Sequence, residues 1–157
     1  SVKRGIESAM EDGPLAGYPL EGVSIRLYDG DHHEVDSDQN AFEIAGRLGF
    51  RDATRKASPV LMEPVMEVEV VTPDEYMGDI IGDLNGRRGR IGQMGQRNDA
   101  QVINAEVPLS EMFGYSTHLR SLSQGRAIYT MQFSSYEPVP KEIASEIIDE
   151  DVVGATA

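Results

Sequence analysis

The sequence predicts an α+β protein in which an antiparallel sheet carries its helices on one face. Residues 66–70 alternate apolar and acidic side chains, which is the period of a strand with one buried face. Residues 76–84 then place apolar side chains at helical spacing, and residues 103–107 alternate again. This succession indicates one layer of strands covered by one layer of helices.

The first predicted helix of this sheet region follows its first strand directly. Thr72, Pro73 and Glu75 have the pattern of a helix start. Thr72 can cap the helix, Pro73 suits its first turn, and Glu75 can complete a capping box. Asn85-Gly86 marks the end of the helix.

Four further elements complete the order strand-helix-strand-strand-helix-strand. Strands are predicted at residues 88–96 and around 103–107, on either side of the turn signal Asn98-Asp99. A helix is predicted within residues 110–123, using Phe113, Leu119 and Leu122, with Gly125 at its end. The last strand, residues 127–135, is predicted to place Tyr129, Met131 and Phe133 on one side, with Tyr129 and Phe133 in the core rather than on an RNA-stacking surface. This order is that of the ferredoxin-like split β-α-β fold.

The N-terminal region is predicted to be a partial α/β domain. Residues 2–12 and about 38–57 have helical periodicity, whereas residues 22–28 alternate like a strand with one wet face. The polar residues 29–36 between them are predicted to form a loop, and residues 59–64 a linker.

Beyond the sheet region, Pro140 is predicted to open a final helix, and residues 149–157 to fray. We therefore expect three parts, which are residues 1–62, residues 63–137 and the helix and tail at 138–157.

The charge balance sets limits on partners. Fourteen basic and 27 acidic residues give a net charge of −13, so the chain repels polyanions unless a local basic cluster makes the contact. There is no Cys, which excludes disulfides and thiolate metal sites. No apolar run is long enough to span a bilayer, and no signal peptide follows the N-terminus. The sequence thus predicts a cytoplasmic protein, and its abrupt start suggests a fragment.

No nucleotide or catalytic site is predicted. A P-loop needs a Gly-Lys-Ser/Thr ending, but the three lysines, Lys3, Lys56 and Lys141, do not follow a glycine. The glycine-rich run at residues 86–92 is therefore not a phosphate loop.

The acidic loop at residues 29–36 has the first spacings of an EF-hand, but Glu34 stands where the sharp turn requires Gly. Metal binding through His32, His33 and Asp36 stays an alternative, although adjacent histidines usually point apart. We predict no metal ligand.

The sheet region contains two long, specific runs, EPVMEVEVVTPDEYMGDIIGDLNGRRGRI (residues 63–91) and EVPLSEMFGYSTHLRSLSQGRAIYTMQF (residues 106–133). These runs resemble the fifth domain of the elongation factor G family. The N-terminal region resembles the second half of the fourth domain in GPLAGYPLEGVSIRLYDG (residues 13–30), HEVDS (33–37) and AFEIAG (41–46).

The resemblance implies a ribosomal translocase that uses GTP and magnesium in a G domain this sequence lacks. Partners implied are the ribosome with its rRNA, the tRNA–mRNA module in the decoding centre, the large-subunit stalk base and the sarcin–ricin loop. In the family the loop matching residues 29–36 lies at the tip of the fourth domain, so Asp31, His32, His33 and Asp36 become contact candidates. His33 occupies the motif position of a histidine important for translocation. His32 replaces the usual Tyr, and Asp31 replaces Ser.

The fifth domain of the family packs near ribosomal RNA. Guanidinium groups suit phosphates, so the best local candidates for rRNA contact are Arg87, Arg88 and Arg90, followed by Arg120, Gln124 and Arg126. Two of the first three could instead neutralise the C-terminal end of the preceding helix.

Two other functions stay open. One is a paralogue of the same family devoted to ribosome recycling. The other is a small regulatory module that binds a ligand, as ferredoxin-like sheets can. We also expect the strand at Val23–Leu27 to lack sheet partners. The N-terminal region would then be loosely packed, or this strand would pair with the same strand of a second copy of the chain.

Overall fold

Four antiparallel strands form a sheet between Met62 and Pro138 in the computed structural model, which describes residues 1–154. The chain divides into two compact units, a helical unit of residues 1–61 with residues from 139 onward, and a sheet unit of residues 62–138. In chain order the elements are α1 (Val2–Glu11), α2 (Gln39–Lys56), β1 (Met62–Thr72), α3 (Met77–Gly86), β2 (Arg90–Arg97), β3 (Ala100–Pro108), α4 (Tyr115–Leu122), β4 (Ile128–Pro138) and α5 (Lys141–Gly154).

The sheet has the strand order β2-β3-β1-β4, and every neighbouring pair is antiparallel. Val68 of β1 lies opposite Ala105 of β3 and Met131 of β4, which fixes the register on both sides. The core between the sheet and its two helices contains Val68, Val70, Ile80, Leu84, Ile103, Ala105, Val107, Tyr115 and Leu119. The predicted ferredoxin-like α+β fold is confirmed.

The predicted capping box is wrong. Thr72 is still paired with Gln101 in the ladder, and its side chain is buried, so its hydroxyl does not cap the helix. That hydroxyl instead donates to the Pro73 carbonyl oxygen at 3.1 Å. A 3₁₀ turn at Asp74–Tyr76 intervenes, and α3 begins at Met77. The strand therefore extends further than the local helix-start pattern indicated.

Two aromatic residues predicted to be buried are exposed. Phe113 precedes α4 and is 78% exposed, because that helix begins only at Tyr115. Phe133 is 55% exposed, since β4 is an edge strand and its register shifts opposite Val65 and Met66. Tyr129 is correctly predicted as a core residue, and its ring packs edge-on against Tyr115 with centroids 4.9 Å apart.

The helical unit is organised by the close approach of α1 and α2. A Cβ atom at Gly5 would lie 2.0 Å from the Glu43 carbonyl oxygen, and one at Gly46 would lie 2.6 Å from the Val2 carbonyl oxygen. Only glycine permits backbones to come this near. Arg4 pairs with Glu43 at 2.8 Å across the same contact.

The predicted strand at residues 22–28 is wrong. This segment has no regular secondary structure and belongs to no sheet, and the described part of the helical unit contains no strand that could pair with it. A strand is stabilised by ladder hydrogen bonds to a neighbour, so alternation alone does not produce one. Val23, Ile25 and Leu27 remain 40–69% exposed. They line an apolar groove of about 700 Å³ together with Phe42 and Phe50 of α2.

The remaining boundaries differ slightly from expectation. The predicted linker at residues 59–64 is shorter, because β1 begins at Met62. Helix α5 continues to Gly154, so the fraying predicted from Asp149 is wrong for residues 149–154, and residues 155–157 lie outside the described part. Within residues 1–154 no helix is both long and apolar enough to cross a membrane.

Candidate functional surfaces

The first candidate surface is the tip loop, defined as residues 29–37. It is closed by two reciprocal hydrogen bonds, since His33 N–H donates to Ser37 Oγ at 2.6 Å and Ser37 N–H donates to the His33 carbonyl at 3.1 Å. Asp38 follows at once and caps α2, with its carboxylate accepting from Ala41 N–H at 2.7 Å. The turn at His33 is thus fixed directly to the first turn of a helix.

The candidate side chains of the tip loop are all in solvent. Asp31, His32, His33 and Asp36 are exposed, and the Asp31 carboxylate accepts the backbone N–H of His32 at 2.8 Å. Both imidazoles are therefore free to meet a partner. Within residues 1–154 no three His, Asp or Glu side chains are arranged to hold a metal ion.

The second candidate surface is the arginine turn, defined as Arg87 and Arg88 after α3 together with Arg90, the first residue of β2. Arg87 pairs with Asp83 at 3.0 Å and donates to the Glu111 carbonyl at 2.5 Å, and its guanidinium lies 5.0 Å from the centroid of the Tyr115 ring. This residue follows the end of α3, where a cation is favourable.

Arg88 is the most engaged residue of the turn. Its guanidinium binds Glu63 through two nitrogens at 2.8 and 3.0 Å and Glu111 at 3.1 Å. The hydrogen bond to Glu63 is the main cause that raises the pKa of Arg88, against the opposing effect of burial. The backbone of Arg88 has a φ of 56°, a left-handed conformation that non-glycine residues rarely adopt. Backbone hydrogen bonds at the end of α3 flank this position, since Arg88 N–H donates to the Asn85 carbonyl at 3.2 Å and Gly89 N–H donates to the Leu84 carbonyl at 2.8 Å.

Arg90 lies on the solvent-exposed face of the sheet. It pairs with Glu106 at 2.7 Å and Glu137 at 2.8 Å, and its side chain stays 60% exposed. The hydrogen bond to Glu137 raises the pKa of Arg90. All three arginines of the turn therefore carry carboxylate partners from the sheet unit itself.

A third set of candidates surrounds the end of α4. Gly125 N–H donates to the Arg120 carbonyl at 2.9 Å, with Gln124 at a φ of 51°, so Gln124 rather than Gly125 occupies the first left-handed position. Arg126 pairs with Glu75 at 2.5 Å, and a hydrogen bond with Tyr76 raises its pKa. Arg120 is exposed and makes no ion pair among residues 1–154.

Sequence reasoning missed a polar cluster between α3 and α4. Asp83 accepts a hydrogen bond from Arg87 at 3.0 Å, and His118 Nε2 lies 3.0 Å from its other carboxylate oxygen. The hydroxyl of Tyr115 is buried beside them and has no hydrogen-bond partner within the described residues. Burial, reinforced by Asp83, raises the pKa of Tyr115. No sequence pattern connects residues of two separate helices, so only the fold reveals this cluster.

Two family models match consecutive parts of the chain. Residues 1–58 match "Elongation factor G, domain IV", and residues 60–147 match "Elongation factor G C-terminus". The chain is 88% identical over all its 157 residues to elongation factor G of Salinibacter ruber (strain DSM 13855 / M31), of which it covers 22%.

A solved structure agrees with these matches. A crystal structure of a protein from Thermus thermophilus superposes with a TM-score of 0.85 at 42% identity, covering 96% of this chain and 23% of that one. Both family models and the curated relative describe translation elongation factors. The chain belongs to the elongation factor G family, and it spans between a fifth and a quarter of the length of these relatives.

Proposed function

We propose that this chain is the ribosome-contacting part of a cytoplasmic translocation factor and has no catalytic role of its own. The observation that carries the proposal is the unbroken order of the two family matches, domain IV and then the C-terminus. The complete factor would bind GTP and magnesium in a separate G domain and use hydrolysis to move tRNA and mRNA. Residues 1–62 and 63–137 would then act as two domains that contact the ribosome and are positioned by that GTPase.

The tip loop is proposed to contact the tRNA–mRNA module in the decoding centre. An imidazole can donate to phosphate or ribose and can stack on a base. The two bonds between His33 and Ser37 order the loop before it binds, which lowers the entropy cost of the contact. His33 is the main contact, with Asp31, His32 and Asp36 around it.

The sheet unit is proposed to contact the large subunit near the stalk base and the sarcin–ricin loop. Arg120 has no ion-pair partner within residues 1–154, and Arg126 is more than half exposed, so these two and Gln124 offer the most accessible donors. Arg90 is also accessible. Arg87 and Arg88 have the fewest free N–H groups, because carboxylates and a carbonyl already occupy them.

The test is made in the complete factor, with His33→Ala as the variant. Single-round translocation should slow by about 10-fold or more while ribosome-stimulated GTP hydrolysis stays unchanged, since a well-positioned group typically contributes about that much. Val35→Ala is the matched control, because Val35 is 89% exposed in the same loop and is not a proposed contact. Unchanged translocation in His33→Ala would contradict the tip-loop assignment. Normal subunit splitting without translocation in the unsubstituted factor would instead indicate a recycling protein.

We also propose that the isolated chain associates with itself through Val23–Leu27. This segment alternates apolar and polar side chains, pairs with no strand of the described residues, and borders the apolar groove. Light scattering should show a concentration-dependent dimer that Ile25→Lys abolishes. A strict monomer at all concentrations would contradict this proposal.

A further inference from the structure

Helix α2 carries a row of arginines that the tip loop and the arginine turn do not include. Arg47, Arg51 and Arg55, called here the α2 arginine stripe, are spaced four residues apart. Successive members are separated by about 6 Å along the axis and rotated by about 40°, so the three cover about 12 Å of one side of the helix. They form a continuous line of guanidinium groups.

The acidic residues of α2 do not neutralise this stripe. The helix contains two carboxylates, Glu43 and Asp52, against four cationic side chains. Glu43 pairs with Arg4 at 2.8 Å, and Asp52 pairs with Lys56 at 2.7 Å. Both carboxylates are therefore engaged by cations outside the stripe, although the whole chain has a net charge of −13.

The arginines of the stripe have few partners elsewhere. Among residues 1–154, Arg47 and Arg55 make no ion pair, and Arg51 makes one long contact of 3.4 Å with Asp12. Asp12 and Asp151 border a hollow of about 320 Å³ beside Arg51 and Arg55. The stripe thus differs from the arginine turn, where every guanidinium lies within 3.0 Å of a carboxylate oxygen.

The stripe lies on the side of α2 that faces away from the apolar groove. The groove is lined by Phe42, Ala45, Gly49 and Ala53, which cluster on the opposite half of the helical wheel. Any segment that filled the groove would not cover the stripe, in which Arg55 is exposed and Arg47 and Arg51 are half-buried. Leu48, which borders the stripe on the wheel, is 58% exposed.

We propose that the α2 arginine stripe binds the phosphate backbone of ribosomal RNA. A guanidinium fork matches a phosphate, and the charges of Arg47 and Arg55 are not compensated by an ion pair among residues 1–154. In an acidic chain such a contact requires a local basic surface, and the stripe is one. The proposal rests on the proposed function, because it takes the ribosome as the partner.

The first experiment measures the affinity of the whole chain for purified ribosomal subunits over a range of salt concentrations. The variant Arg47→Gln/Arg55→Gln should lower the affinity about 10-fold at low salt. It should reduce the slope of log K against log salt by about 2, roughly one for each phosphate that is no longer bound. Arg97→Gln is the control, because Arg97 carries the same charge and is exposed like Arg55, but pairs with Glu69 and is no proposed contact.

The second experiment identifies the partner by crosslinking. Because the chain contains no Cys, Leu48→Cys gives one attachment point for a photoreactive label beside the stripe. The label should crosslink to rRNA within the bound complex. Crosslinks to a ribosomal protein alone would overturn the RNA assignment.

The outcomes separate the two proposals. If the unsubstituted chain binds subunits but the double variant keeps the same affinity and salt slope, the stripe is not an RNA contact and the proposed function stands. If the unsubstituted chain shows no binding to either subunit, both proposals fail. Circular dichroism of each variant confirms that α2 is intact.

Discussion

The two units contain the same alternating sequence pattern, and only one of them turns it into a strand. Met66, Val68 and Val70 lie in β1 between two hydrogen-bonded neighbours. Val23, Ile25 and Leu27 have the same spacing but border an open groove. The difference shows that alternation predicts which face is apolar, whereas a ladder also requires a neighbouring strand.

The largest expected difference between these two segments is in amide hydrogen exchange. The Val68 amide lies in the central strand and should exchange only through global unfolding of the sheet unit, about 10³- to 10⁴-fold slower than an unprotected amide for a stability near 5 kcal/mol. The Ile25 amide should exchange near its unprotected rate. Mass spectrometry or NMR of the exchanging chain measures both. Strong protection at Ile25 in the monomer would mean that the segment has a partner after all.

The next largest difference concerns side-chain truncation. Ile80→Ala removes a fully buried side chain under the sheet and should cost about 2–5 kcal/mol of unfolding free energy in urea. Ile25→Ala is the matched variant in the helical unit, where 47% of the residue is already exposed, and should cost less than about 1 kcal/mol. Comparable losses at both positions would show that the groove is closed in solution.

A smaller effect is expected at the arginine turn. Glu63→Gln removes the two-point carboxylate partner of Arg88, whose side chain is 25% exposed, and should cost about 1–3 kcal/mol. Glu69→Gln, at an exposed pair with Arg97, should cost under about 1 kcal/mol and serves as the control. Equal effects would indicate that Arg88 finds a replacement partner.

The smallest effect is expected at the buried hydroxyl of Tyr115. Tyr115→Phe removes an unpartnered polar atom, so stability at pH 7 should be unchanged or higher by about 1 kcal/mol. The pKa of Tyr115 is raised in the folded state, which means that folding favours the neutral hydroxyl. The free energy of unfolding is therefore not reduced by Tyr115 ionisation below the ordinary tyrosine pKa of about 10, and it falls as the pH rises beyond that value.

The pH dependence provides the check on Tyr115. The unsubstituted chain should lose stability between about pH 10 and 12 with a slope that Tyr115→Phe reduces by up to about 1.4 kcal/mol per pH unit. Urea unfolding followed by circular dichroism measures it. Parallel curves for the two proteins would mean that water reaches the hydroxyl.

The sequence predicted the sheet unit well because each of its local patterns has a structural partner nearby. The helix ending at Asn85-Gly86 and the order of helices and strands along the chain follow from periodicity and turn residues alone. The capping-box prediction failed because Thr72 is paired with Gln101 of β3. The residues around Thr72 in the sequence do not reveal a contact with a distant strand. The prediction that Phe133 is buried failed because β4 lies at the edge of the sheet, and edge position depends on the strand order.

The assignments of the candidate contact residues stay predictions, and the sequence alone could not show how the side chains of these residues are paired. The resemblance led to His33 and to the arginines at 87, 88 and 90. It could not reveal that Glu63, Glu106 and Glu111 already bind those arginines, since the contacts cross between elements. The α2 stripe was overlooked for the converse reason, because a lack of partners is visible only once all contacts are known.

The direct junction of the tip loop with α2 has a mechanical consequence. The bonds that close the turn end at Ser37, the residue before the cap, and the helix then runs 18 residues, or about 27 Å. A force applied to the imidazole of His33 would therefore reach helix α2 through a short, hydrogen-bonded segment of chain. The close backbone contacts at Gly5 and Gly46 also hold α1 against α2, so bending either helix would require bending both.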